Sequence, residues 1–203
     1  MCNNFTFNDI GDVLMASDFQ LKKFAQFFKA CDLDGDNYLT EQDFFVQLER
    51  LGKKRGIDPE SPEAKAEHAE RHMWWQGLQS MVDADGDGKL SFEEFVGFWA
   101  HIADTATAEI GTDSTPTYDM ITNSAISTFT FLDANNDGTL SEKEYTDWLY
   151  SWSIPDANGA AAFQSLTGGA DTLDQDRVVE CVVNFYIGDD PDAPGTNLYG
   201  IIG

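Results

Sequence analysis

Apolar positions along this chain fall into helical stripes that are broken by short polar turns. Over residues 17–31, SDFQLKKFAQFFKAC, the rings Phe19, Phe24, Phe27 and Phe28 recur at helical spacing behind Ser17, a suitable N-cap. Shorter stripes follow over Phe44, Phe45 and Leu48, over Phe95, Phe98 and Trp99, and over Tyr145, Trp148 and Leu149. A further helix is predicted over residues 61–82, with Ser61 as cap, Pro62 in the first helical position and glutamate in the first turn. Residues 118–132, YDMITNSAISTFTFL, read as helix in spite of their Thr and Ser content. Residues 51–60, 103–117 and 153–156 read as connections, the first with a basic cluster, the second small and polar, the third a short turn.

Between paired stripes lies an acidic stretch that occurs three times: DLDGDNYLTEQD from Asp32, DADGDGKLSFEE from Asp83 and DANNDGTLSEKE from Asp133. Their first residues are 51 and 50 positions apart, so the chain is built on a repeat of helix, acidic turn, helix. Thr40, Ser91 and Ser141 are each followed three residues later by Asp43, Glu94 or Glu144, which is the spacing of a capping box for the second helix.

The spacing of oxygen-bearing residues gives these turns a chemistry. Counted from Asp83, side-chain oxygens fall at positions 1, 3, 5, 9 and 12, as Asp83, Asp85, Asp87, Ser91 and Glu94. Gly88 stands at position 6, where the backbone must turn with positive φ, and Lys89 at position 7 offers its carbonyl. This is the calcium loop of an EF-hand. Asp133, Asn135, Asp137, Thr139, Ser141 and Glu144 repeat it around Gly138. Asp32, Asp34, Asp36, Tyr38 and Asp43 form a first copy with two departures, Asn37 for glycine at position 6 and Asp43 for glutamate at position 12. The shorter Asp43 is expected to reach an ion through one oxygen, which would favour six-coordinate Mg²⁺ as a competitor there. Leu39, Leu90 and Leu140 hold position 8.

Charge sharpens this picture. The 203 residues carry a formal net charge of −24, with 42% hydrophobic and 13% aromatic residues, so a folded core is expected together with a repulsion that must be relieved. The three loops hold fourteen of the 36 acidic and two of the 12 basic residues, half of the net charge. Such a balance argues against nucleic acid and anionic membranes as partners and favours cations. Cys2, Cys31 and Cys181 make no disulfide framework, and a reduced cytoplasmic setting is expected. The opening MCNNFTFNDIGD lacks the pattern of a secretory leader, residue 2 is not the glycine of N-myristoylation, and no apolar run is long enough to span a membrane.

EF-hands pair through position 8, and three hands leave one without a mate. Downstream of Glu144, PDANGAAAFQSLTGGADTLDQDRVVECVVNFYIG has helix signals on both sides of a glycine-rich turn, with Asp156 and Asp174 as expected caps. Setting Leu173 at position 8 places Leu166, Gly168, Ala170 and Arg177 at positions 1, 3, 5 and 12. A fourth hand that keeps its shape without an ion is therefore expected, with pairing one with two and three with four. The predicted fold is all-α, four EF-hands in two paired halves, residues 1–102 and 103–203, each with a two-stranded β-bridge.

Three live loops, long spacing in the first half, a degenerate fourth loop and the ending FYIGDDPDAPGTNLYGIIG together resemble the invertebrate sarcoplasmic calcium-binding proteins and the calexcitin family. The resemblance implies a monomer that buffers or senses calcium, with a tail packed between the halves. The family's association with GTP is not carried over, because there is no GxxxxGK[ST]. The expected function is a calcium buffer or signal modulator binding three Ca²⁺. The alternatives are a sensor acting on an unidentified protein target, or a coelenterazine photoprotein or luciferin-binding protein, for which His101 beside Trp99 would be the relevant pair. Five methionines, Met1 among them, and many aromatic stripes suit a permanently closed core rather than a Met-lined groove. His68 and His72 lack a third ligand, Cys31 and Cys181 read as core, and Lys53, Lys54 and Arg55 as a solvated linker open to an acidic partner. No nucleophile–base constellation points to an enzyme.

Overall fold

The computed structural model describes residues 16–202; Cys2 and the opening stretch compared above with leader and acylation signals lie outside the described residues. Among the described residues the chain forms eight α-helices: α1 (Asp18–Cys31), α2 (Glu41–Arg55), α3 (Pro62–Val82), α4 (Phe92–Glu109), α5 (Pro116–Leu132), α6 (Glu142–Ser151), α7 (Asp156–Thr167) and α8 (Gln175–Ile187). Four short strands, β1 (Tyr38–Leu39), β2 (Leu90–Ser91), β3 (Thr139–Ser141) and β4 (Thr172–Asp174), pair antiparallel as β1 with β2 and β3 with β4. Leu39 faces Leu90 and Leu140 faces Leu173, so position 8 performs the expected pairing, the fourth hand included. All four leucines are buried.

Local chemistry starts and stops the helices. Ser17 Oγ accepts from Gln20 N at 3.1 Å while the Gln20 side chain accepts from Ser17 N at 3.0 Å, a closed capping box. Ser61 caps α3 ahead of Pro62, and Asp174 caps α8 by accepting from Arg177 N at 2.8 Å. Asp156 is not a cap. Pro155 takes that place, and Asp156 is the first residue of α7, where its charge complements the helix dipole.

Two expected connections are helical instead. Leu51 is 1% exposed, so α2 continues through the basic cluster and ends at Gly56, with φ 71°. Lys53, Lys54 and Arg55 form its last turn, where positive charge opposes the negative end of the dipole. Helix α4 likewise runs on to Glu109, because Ala103 and Ala106 are small enough to be buried against neighbouring elements. A division after residue 102 therefore falls inside α4, and residues 110–115 make the turn into α5. The Glu109 carboxylate closes that turn by accepting from Thr117 N and Tyr118 N, both at 2.8 Å.

The centre of the core is aromatic and shared by both halves. Phe27 of α1 stacks on Tyr199 with centroids 4.1 Å apart and meets Phe95 of α4 edge-on at 5.2 Å. Trp99 of α4 stacks on Tyr186 of α8 at 4.3 Å. Tyr199 belongs to a segment that enters from a 3-10 turn at Pro194–Asn197 and is held by backbone carbonyls: Gln26 Nε2 donates to Tyr199 O and Gly200 O at 2.8 Å, and Tyr145 OH to Leu198 O at 2.8 Å. Gly195 is obligatory on this path, since a Cβ there would lie 1.9 Å from Cys181 O. Lys23, 1% exposed, donates Nζ to Phe185 O at 2.6 Å, to Asn184 O at 3.2 Å and to Gly188 O, closing the C-terminal end of α8.

A second contact between the halves runs along α2 and α6. Gln47 Nε2 donates to Ser151 Oγ at 2.7 Å, and both residues are fully buried. Phe44 meets Trp152 edge-on at 5.7 Å, and Lys54 Nζ lies 3.8 Å from Asp147 and 4.0 Å from the Tyr150 ring centroid.

The buried acids set the alkaline limit. Burial raises the Cys181 thiol from 9.0 to about 11 and holds the Tyr145, Tyr186 and Tyr199 phenols above their ordinary 10.0. An unfolded chain loses these protons first, so it binds fewer protons than the native state and stability falls as pH rises. Lys23, lowered by burial to about 8, acts in the opposite direction between there and 10.5, as one base against these four acids and the Cys31 thiol, which burial holds above its ordinary 9.0. Thermal unfolding midpoints should therefore drop from about pH 9 and faster past about pH 10. Cys181→Ala should delay the onset.

Candidate metal centres

Each acidic loop is built around its first carboxylate. Asp32 Oδ1 accepts from Gly35 N at 2.9 Å and Oδ2 from Asn37 N at 3.1 Å. Asp83 repeats this with Gly86 N at 2.8 Å and Gly88 N at 3.0 Å. Asp133 does so with Asp137 N at 3.1 Å and Gly138 N at 2.9 Å. A chain can wrap a single carboxylate this tightly only with left-handed residues. Asn37, Gly88 and Gly138 at position 6 have φ of 68°, 89° and 81°. Position 4 is left-handed too, with Gly35 and Gly86 at 75° and Asn136 at 56°. The sequence reading missed this second turn, although Gly, Gly and Asn are its signal.

Later carboxylates are arranged by the same device. Asp34, Asp85 and Asn135 accept from the backbone N–H two residues on, and Asp36, Asp87 and Asp137 do likewise. Carboxylate oxygens of Asp32, Asp34 and Asp36 thereby lie within 4.8 Å of one another, as do those of Asp83, Asp85 and Asp87. Oxygens on opposite sides of a Ca²⁺ are about 4.6–5.2 Å apart, so the donor set and its spread fit a hard dication. The third loop has one carboxylate fewer. Asn135 Nδ2 donates to Asp137 Oδ2 at 2.9 Å, so the two side chains meet across the loop. Hydrogen bonds from the Thr139 and Asn135 side chains hold Asp137 below its ordinary value. For Asp83, burial pulls upward, but donors from Gln79, Gly88, Gly86 and Asp87 together keep it low.

Position 12 ties each loop shut. Glu94 Oε1 accepts from Ala84 N at 2.8 Å, and its Oε2 from Ser91 N and Oγ, also at 2.8 Å. Glu144 does the same with Ala134 N at 3.1 Å and with Ser141 N and Oγ. The Ser91 and Ser141 hydroxyls are thus engaged with these glutamates and serve the helix caps. Asp43, one methylene shorter, makes the same set: Oδ1 with Leu33 N at 3.0 Å, Oδ2 with Thr40 N at 2.8 Å and Oγ1 at 2.9 Å. It is 3% exposed against 9% for Glu94. Across the first pair, Lys89 Nζ reaches Asp36 at 4.0 Å and the Tyr38 ring at 4.8 Å. Tyr38, Lys89 and Thr139, expected at position 7, lie at or next to the starts of their strands.

The fourth loop carries its own cation. Arg177 Nε donates to Leu166 O at 2.7 Å, spanning the loop from position 12 to position 1, and its other arm reaches Glu180 at 2.6 Å. Other candidates resolve into packing. The His72 imidazole contacts Glu41, His68 packs on Phe45 at 5.1 Å, and His101 lies beside Thr105 at 3.4 Å. Cys31 and Cys181 are buried and unpaired.

Comparison with known proteins agrees with this geometry. An EF-hand domain pair model matches residues 21–100 and an EF hand model residues 126–149. The chain belongs to the EF-hand family of calcium-binding proteins. Within that family, the chain is similar to a bacterial calcium-binding relative and shares the fold of a sarcoplasmic calcium-binding protein. Calerythrin of Saccharopolyspora erythraea is 24% identical over 176 residues, covering 86% of this chain and 93% of that one. The sarcoplasmic calcium-binding protein of amphioxus superimposes with a TM-score of 0.65 at 21% identity, over 91% of this chain and 98% of that one. The calcium-loaded apo coelenterazine-binding protein of Renilla muelleri gives 0.69 at 16%, over 91% and 99%.

If Arg177 is the fourth loop's internal cation, Arg177→Gln should lower stability by about 1.5–3 kcal/mol, the range for a hydrogen bond to a charged group. The number of calcium ions in a direct titration should not change.

Proposed function

We propose that the chain is a calcium buffer that binds three Ca²⁺. The ligands are Asp32, Asp34, Asp36, Tyr38 and Asp43 in the first loop, Asp83, Asp85, Asp87, Lys89 and Glu94 in the second, and Asp133, Asn135, Asp137, Thr139 and Glu144 in the third, with residue 38, 89 or 139 contributing its carbonyl. The observation that carries this reading is the backbone cage around Asp32, Asp83 and Asp133. It holds like charges together in three separate loops, at a cost that a bound dication offsets. Under this reading the hands act in pairs, one with two and three with four, joined through the turn at 110–115.

Buffering is favoured by the interior. The aromatic core is interlocked, and the cavity beside Tyr145 and Cys181 has a volume of only about 40 Å³. That is room for water rather than for a chromophore, which gives the light-emitting alternative little support. A reducing compartment suits the buried, unpaired thiols of Cys31 and Cys181. One observation favours a second reading, a modulator that docks on a protein target. Met73, Trp74 and Met81 of α3 are 63%, 46% and 49% exposed.

Calorimetry of the full chain should count three Ca²⁺, and Asp32→Asn, Asp83→Asn and Asp133→Asn should each remove one. A count unchanged by any of these substitutions refutes the assignment of that loop. Asp43→Glu should raise the preference of the first loop for Ca²⁺ over Mg²⁺, measured by competition, by about tenfold per 1.4 kcal/mol of added coordination. An apolar dye should brighten little on calcium addition to a buffer and strongly for a sensor.

A further inference from the structure

The third loop has no live partner in its own pair, because the strand beside it belongs to the loop that Arg177 fills. Its mechanical partner lies in the other half. Helix α2 leaves the first loop with Asp43 in its opening turn, and its far end reaches hand three. There Arg55 donates through its two terminal nitrogens to Phe131 O at 3.0 Å and Leu132 O at 3.2 Å, with the guanidinium 5.0 Å from the Phe131 ring centroid. These carbonyls end α5, directly before Asp133. The last turn of a helix leaves such carbonyls without donors, and a cation suits the dipole there. Arg55 is thus a C-cap for the helix that leads into the third loop, supplied from hand one.

The same helix also grips the helix that leaves the third loop. Gln47 bonds Ser151, Phe44 packs on Trp152, Arg50 donates to Ser153 Oγ, and Lys54 pairs with Asp147. One rigid helix therefore holds both arms of hand three, and the placement of those arms fixes the ligands of the loop between them. We propose that Arg55 is a positioning residue for the third metal loop, and that α2 couples occupancy of loop one to loop three across the halves. A contiguous set of hydrogen bonds, an ion pair and packed rings is the physical link that such coupling requires. The proposal rests on the reading of loops one and three as calcium sites.

The test uses the full chain, stripped of metal and titrated with Ca²⁺ while amide NMR signals of Asn37, Gly88 and Gly138 report the three loops separately. Arg55→Met should weaken loop three by about fivefold or more, the lower end of ordinary coupling, and leave loop two unchanged; Arg55→Lys should recover part of the loss. Asp32→Asn should weaken loop three by a similar factor in the parent chain and by much less in the Arg55→Met background, closing a double-mutant cycle. Loop three indifferent to both substitutions overturns the coupling while leaving the calcium sites in place. Loops two and three weakening together overturns it as well, since that marks general loosening. A Gly138 signal that never responds to Ca²⁺ overturns instead the reading of loop three as a calcium site.

Discussion

Like charges gathered in short acidic loops are the constraint on which this molecule is built. Four carboxylates in each of the first two loops and three in the third are kept close by backbone N–H groups that all point inward. Such a cage needs two left-handed residues per loop, a tied final carboxylate and a helix on either side to hold the ends. The remaining architecture follows from that need. The β-bridges brace loops in pairs, and the helices flanking them turn their aromatic faces inward to form one core.

The split between halves is less complete than a repeat of about fifty residues suggests. Tyr199 is wedged among rings from α1, α6 and α8, and Lys23 of α1 closes the end of α8. Helix α2 lies against α6. Each of these contacts joins an element of the first pair of hands to one of the second, so the halves are joined in a way that separate domains on a flexible linker would not be.

Much of this was legible in the sequence, for a physical reason. Metal-loop chemistry is written in residues that are close together in the chain, so Asp32, Asp83 and Asp133, their caps and the leucines at position 8 could be placed by counting. The pairing of Leu140 with Leu173 could be placed too, because a position-8 residue needs a mate whether or not its loop holds an ion. What could not be read depends on distant partners. The run at residues 53–55 looks like a solvated linker until α5 presents its bare carbonyls to Arg55. The small residues of 103–109 look like a loop until neighbouring elements bury Ala103 and Ala106. Asp156 looks like a cap because its type suits one, but Pro155 already supplies the extended geometry.

The fourth hand has a consequence of its own. Its positive charge is a side chain, joined to the backbone by covalent bonds, and no chelator can strip it. On the proposed reading, the three acidic loops exchange calcium with the surrounding water while this one stays furnished. The molecule thus keeps one corner held by a covalently attached charge, directly beside the third loop.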